Sequence, residues 1–134
     1  MRQLRLEDII KWFGIATIAD IARLQAQIDE ANRRFQIEID ALREKHDKTT
    51  NGFANYKRKT DEELTGFVTD VNLIIASLEL LLKTAHTELQ SNQIKKMAFA
   101  LKIKRGKAQK AISSISGAKS SSQIDAALAG TSNG

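Results

Sequence analysis

Between Ile18 and Leu42, the apolar residues Ile18, Ile21, Leu24, Ile28, Ala31, Phe35, Ile39 and Leu42 follow one another at steps of three or four. That spacing draws one stripe along an α-helix with a period near 3.5. Gln25, Asp29, Arg33, Gln36, Asp40 and Arg43 lie off the stripe. No strand-like alternation competes with it elsewhere, and no repeat is present. The 134 residues include no proline, where average usage would place about 7. Proline removes a backbone donor and clashes with the preceding turn, so its absence permits long unbroken helices. The expected fold class is all-α: two or three long amphipathic helices in an antiparallel hairpin or bundle with coiled-coil character, completed by oligomerisation.

The first helix is expected from about residue 6 to 48, a length of ~60 Å. Glu7 and Asp8 favour its start, because acids complement the positive end of a helix dipole. Thr49, Thr50, Asn51 and Gly52 are expected to end it, with hairpin closure near Gly52. Thr60-Asp61-Glu62-Glu63 matches a capping box and predicts a second helix over 60–90. Leu64, Phe67, Val71, Ile74, Leu78, Leu81 and Ala85 alternate strictly on it, and Leu73 and Leu80 widen its apolar surface. That breadth exceeds the seam of a two-stranded coiled coil and asks for several neighbours. A third helix over 92–116 carries Ile94, Ala98, Leu101, Ala108, Ile112 and Ile115. Residues 1–116 thus read as one helical domain. Residues 117–134 read as a flexible Ser/Ala/Gly-rich tail, with enough pattern in 123–129 for two helical turns.

Charge is unevenly spread. No acidic residue occurs between Glu88 and Asp125, and that interval holds Lys95, Lys96, Lys102, Lys104, Arg105, Lys107, Lys110 and Lys119. The formal net charge of +5 therefore arises from one stretch, attached to a slightly acidic remainder. Phe99 and Ile103 fall among these lysines when the helix is projected. Exposed apolar groups amid cations suit a surface that docks on phosphates, or an interfacial membrane helix. Packing of the pair on a further helix is the plainer alternative. With lysine dominant, contact to nucleic acid would be to the backbone and indifferent to sequence.

Catalytic chemistry finds no foothold in the sequence. The chain lacks cysteine, which excludes disulfides and thiolate metal sites. Neither His46 nor His86 sits in a Glu-x-x-His pair, so both read as surface histidines. There is no nucleophile elbow, and Gly117-Ala118-Lys119-Ser120 lacks the rest of a phosphate loop. No enzyme activity, cofactor, metal or small-molecule substrate is expected. Ile9–Ala19 follows two acids and precedes no convincing small-residue cleavage pattern, so no secretory signal is expected, and the run is too short to span a bilayer.

The functional expectation is a non-enzymatic helical structural or assembly protein. It self-associates through Ile21, Leu24, Ile28, Phe35, Leu42, Phe67, Val71, Ile74, Leu78 and Leu81. It touches a polyanion through Lys95, Lys96, Lys102, Lys104, Arg105, Lys107 and Lys110. Trp12 and Phe13 are candidates for a membrane or subunit contact. Two alternatives stand beside it: a peripheral protein held on an anionic membrane by amphipathic helices, and a helical adaptor that binds a partner helix. In overall make-up, with Cys-free helices, a basic segment and a Ser/Ala/Gly tail, the whole chain resembles small structural or internal proteins of bacteriophage particles. That resemblance implies a virion component handling DNA, in a cytoplasmic or virion-associated setting.

Overall fold

The computed structural model describes residues 18–45 and 50–131. All regular structure among them is helical, in four elements: α1 (Ile18–Lys45), α2 (Thr50–Leu82), α3 (Glu88–Ser116) and α4 (Ser121–Ala129). The expected helix start near residue 6 lies outside the described residues, as do residues 46–49.

α1 and α2 run antiparallel, as do α2 and α3. On α1 and α2, Phe35 stacks on Phe67 with ring centroids 4.1 Å apart, and Arg34 lies 3.6 Å from Asp70. On α2 and α3, Asn72 accepts a hydrogen bond from Arg105 at 2.9 Å, while Glu79 faces Lys102 at 3.4 Å. Nearer the far end, Lys57 Nζ donates to the carbonyl oxygen of Ser116 at 3.1 Å. It also reaches that of Ala118 at 3.4 Å. Lys57 thereby satisfies carbonyls left over at the C-terminus of α3 and places a cation at the negative end of its dipole.

One core joins all four helices. Ile21, Leu24, Ile28 and Ile39 enter it from α1. The row Tyr56, Leu64, Phe67, Val71, Ile74, Ile75 and Leu78 enters from α2. From α3 come Ile94, Met97, Leu101, Ala108, Ala111 and Ile115, and from α4 Ile124 and Leu128. Leu64, Val71, Leu78, Ile94, Ile124 and Leu128 have no exposed surface. Burial stabilises the fold by about 1.5–3 kcal/mol for each large aliphatic side chain.

Three boundaries differ from the sequence expectations. α1 is described to Lys45 and α2 already begins at Thr50, and α2 passes without a break through Gly52 and Thr60. Thr60 is no cap. It is wholly buried mid-helix, and its hydroxyl has no partner among the described residues. The reason is the row Tyr56, Thr60, Leu64, Phe67, Val71, which continues the inward face across Thr60 and uses its methyl group as packing. The second difference lies after α2, which ends at Leu82 rather than near 90. Thr87 then caps α3 by accepting from the Gln90 backbone at 3.1 Å, and the Gln90 side chain accepts from the His86 backbone at 3.1 Å. The third helix, expected from 92, therefore begins four residues earlier, at Glu88.

The third difference lies in the expected tail. Ser120 caps α4 by accepting from the Gln123 backbone, and the Gln123 side chain accepts from the Lys119 backbone. Ile124 and Leu128 then bury completely, and the Tyr56 hydroxyl donates to Asp125 at 2.5 Å. A serine-rich stretch folds here because its two large apolar residues, four apart, share one helix face.

Candidate polyanion-binding face

The seven basic residues of α3 divide by what each touches. Lys95, Lys96 and Lys110 are exposed and make no ion pair among the described residues. Lys104 and Lys107 are half-buried. Lys102 and Arg105 point along the flank towards α2, where they meet Glu79 and Asn72. Those two hold the helix pair together and contribute less to an outward surface than the sequence assigned them.

Phe99 and Ile103 point away from the core, 67% and 45% exposed. They lie one turn apart on the side of α3 opposite Leu101 and Ala108, which are buried. Lys96 precedes the pair on that side and Lys110 follows it, with Lys95 alongside. The alternative in which Phe99 and Ile103 pack on a further helix of this chain does not hold among the described residues. No acidic side chain stands on α3 beyond Glu88 in its first turn, so nothing on the helix itself neutralises this face.

The ten residues assigned to self-association lie elsewhere. Ile21, Leu24, Ile28, Phe67, Val71, Ile74 and Leu78 are buried in the core of one chain, and Phe35, Leu42 and Leu81 are packed against it. The apolar surface that remains open includes Leu73 and Leu80 on α2, 66% and 67% exposed, and Leu89 on α3, 78% exposed. The breadth of the α2 pattern was the signal for the first two. Trp12, Phe13 and His46 lie outside the described residues. His86 is exposed beside the α3 cap.

Two polar features were not foreseen. Burial, and then the Asp125 carboxylate, push the Tyr56 phenol above its ordinary value. On the α1–α2 flank, burial and then the neighbouring Glu38 raise Glu63, against the pull of Arg34. Among the described residues no group of three His, Cys, Asp or Glu side chains could hold a metal ion.

The stretch Gly52–Leu82 is long and apolar enough to cross a membrane by length and composition. In this structure it is also the helix that supplies the central core row. No protein-family model, characterised protein or solved structure matches the chain.

Proposed function

We propose that this protein is a non-enzymatic helical assembly component. In this reading its helices form a bundle with coiled-coil character that associates with further copies, and the outward face of α3 docks on a polyanion. The backbone of nucleic acid is the polyanion that fits best. The observation carrying this reading is the exposure of Phe99 and Ile103 among Lys95, Lys96 and Lys110, exposed lysines with no ion pair among the described residues. A merely solvating face gains nothing from a phenyl ring held in water. A docking face gains phosphate contacts from the lysines and an apolar wedge from the ring. The composition of the whole chain supports a particle component as the setting.

Membrane attachment is the second reading, favoured by the apolar length of Gly52–Leu82. An interfacial helix, however, immerses its wide apolar face in lipid. That face of α3 is already packed in the core, leaving Leu89, Phe99 and Ile103 as its large apolar side chains open to a bilayer.

Titration of a fluorescent duplex at rising salt tests the main reading. Three exposed lysines releasing counterions give a slope of roughly −3 in log affinity against log salt. Raising salt from about 50 to about 200 mM should weaken binding by about 60-fold. Affinity unchanged over that range would refute phosphate docking. Binding to anionic vesicles with no binding to duplex would favour the membrane reading.

A further inference from the structure

The outward face of α2 carries no charge for four turns. Thr65, Gly66, Thr69, Leu73, Ala76 and Leu80 are all exposed. The chain is 28% charged, and solvated helix faces are where charges normally gather. From Gly66 to Leu80 the steps are three, four, three... in effect a second heptad seam, on the side of α2 opposite the core row. Charge returns only at its ends, with Glu62 one turn before Gly66 and Lys83 just past Leu80. Lys83 is exposed. Arg58 holds one Glu62 oxygen at 2.8 Å, but both side chains are more than half exposed, so the carboxylate is still open to a second cation.

We propose that this seam pairs with the same seam of a second copy, antiparallel, about a two-fold axis beside Leu73. The proposal rests on the self-association part of the reading above and names its surface. Complementarity identifies the occupant. Turned end for end, the seam sets Glu62 of each copy opposite Lys83 of the other. A parallel pair would stack like charges at both ends. In the same antiparallel register Leu80 of one copy faces Gly66 of the other, where nothing lies within 4 Å of an added Cβ. The two Leu73 side chains meet near the axis, and Thr69 faces Ala76. Such self-complementarity is what an isologous interface requires. The seam from Gly66 to Leu80 is ~21 Å long, so its area is near the small end for a specific interface and the dimer is weak.

Sedimentation equilibrium of the full chain tests this, with circular dichroism confirming that each variant is folded. The wild type should show a monomer–dimer equilibrium. Leu73→Glu with Leu80→Glu should raise the dimer Kd at least about 100-fold. Glu62→Lys or Lys83→Glu alone should weaken the dimer, and the two together should restore it. Association that survives the leucine substitutions would overturn this seam while leaving self-association intact. A wild type that stays monomeric at every concentration would remove both. Single charge reversals that are not rescued by the double reversal would rule out the antiparallel register. Binding of neutral phosphatidylcholine vesicles through Leu73 and Leu80, with no dimer, would make the seam a lipid-facing one and overturn the second copy as its occupant.

Discussion

α2 and α3 are antiparallel neighbours of similar length, 33 and 29 residues, yet they divide the work of the molecule. Inward, α2 supplies the longer apolar row, with Leu64, Val71 and Leu78 fully buried, while α3 reaches inward partly through alanines at 108 and 111. Outward, α2 is neutral and α3 is cationic. The inward difference concerns stability, and the outward one, in the proposed function, concerns partners. A neutral seam can accept a like surface, whereas a lysine face repels its own copy and attracts an anion. Two helices joined by one turn can thus hold two kinds of contact apart on one small scaffold.

The largest effect should come from the inward face of α2. Leu78→Ala should cost about 2–5 kcal/mol in urea unfolding, because a fully buried side chain leaves a cavity. Its outward counterpart on α3, Phe99→Ala, should change stability by less than about 0.5 kcal/mol. Equal losses for the two would break the comparison, by showing that Phe99 is packed after all. Next comes Tyr56→Phe, expected to cost about 1–2 kcal/mol near neutral pH, since it leaves the part-buried Asp125 without its hydroxyl donor. The Tyr56 phenol is raised in the fold, so its contribution is complete below pH ~10 and is lost as pH rises beyond that. The stability gap between wild type and variant should therefore close in alkali, as followed by chemical unfolding across pH.

Thr60→Val discriminates by sign. As a buried mid-helix residue with an unpartnered hydroxyl, Thr60 should yield a more stable protein by about 1 kcal/mol on substitution. As a cap it would lose about that much, and thermal melts read the difference. The smallest effect belongs to Glu63→Gln. Glu63 is raised in the fold, so its charged form opposes folding at neutral pH and its protonated form does not. The variant should gain at most ~0.5 kcal/mol at pH 7, discounted for partial exposure. That gain should vanish below pH ~4, where wild-type Glu63 is itself protonated.

Helical class was legible because periodicity reports directly on which side chains are buried. The rows Ile21–Ile28 and Leu64–Leu78 were read correctly as apolar faces, but whether one chain or several covered them was not readable from spacing. A helix face of given width is satisfied equally by a neighbour in the same chain or in another copy. The boundaries were misread where one motif has two physical meanings. Thr60 followed by Glu63 looks like a cap, but Thr60 also fits an apolar row through its methyl group. The real caps, Thr87 with Gln90 and Ser120 with Gln123, carry the same signature with glutamine in place of glutamate. In the basic segment the sequence placed the charge on the right helix. It could not divide lysines that face outward from Lys102 and Arg105, because that division depends on where Glu79 and Asn72 of α2 come to lie.

The most direct trial of the cationic face is the change in salt slope when its exposed lysines are removed. Duplex affinity would be measured against salt for wild type, for Lys96→Gln with Lys110→Gln, and for a control carrying Arg33→Gln on α1. Loss of two phosphate contacts should shift the slope from roughly −3 to roughly −1, and the control should keep the wild-type value. Identical slopes for all three proteins would place the contact away from α3 and contradict the account.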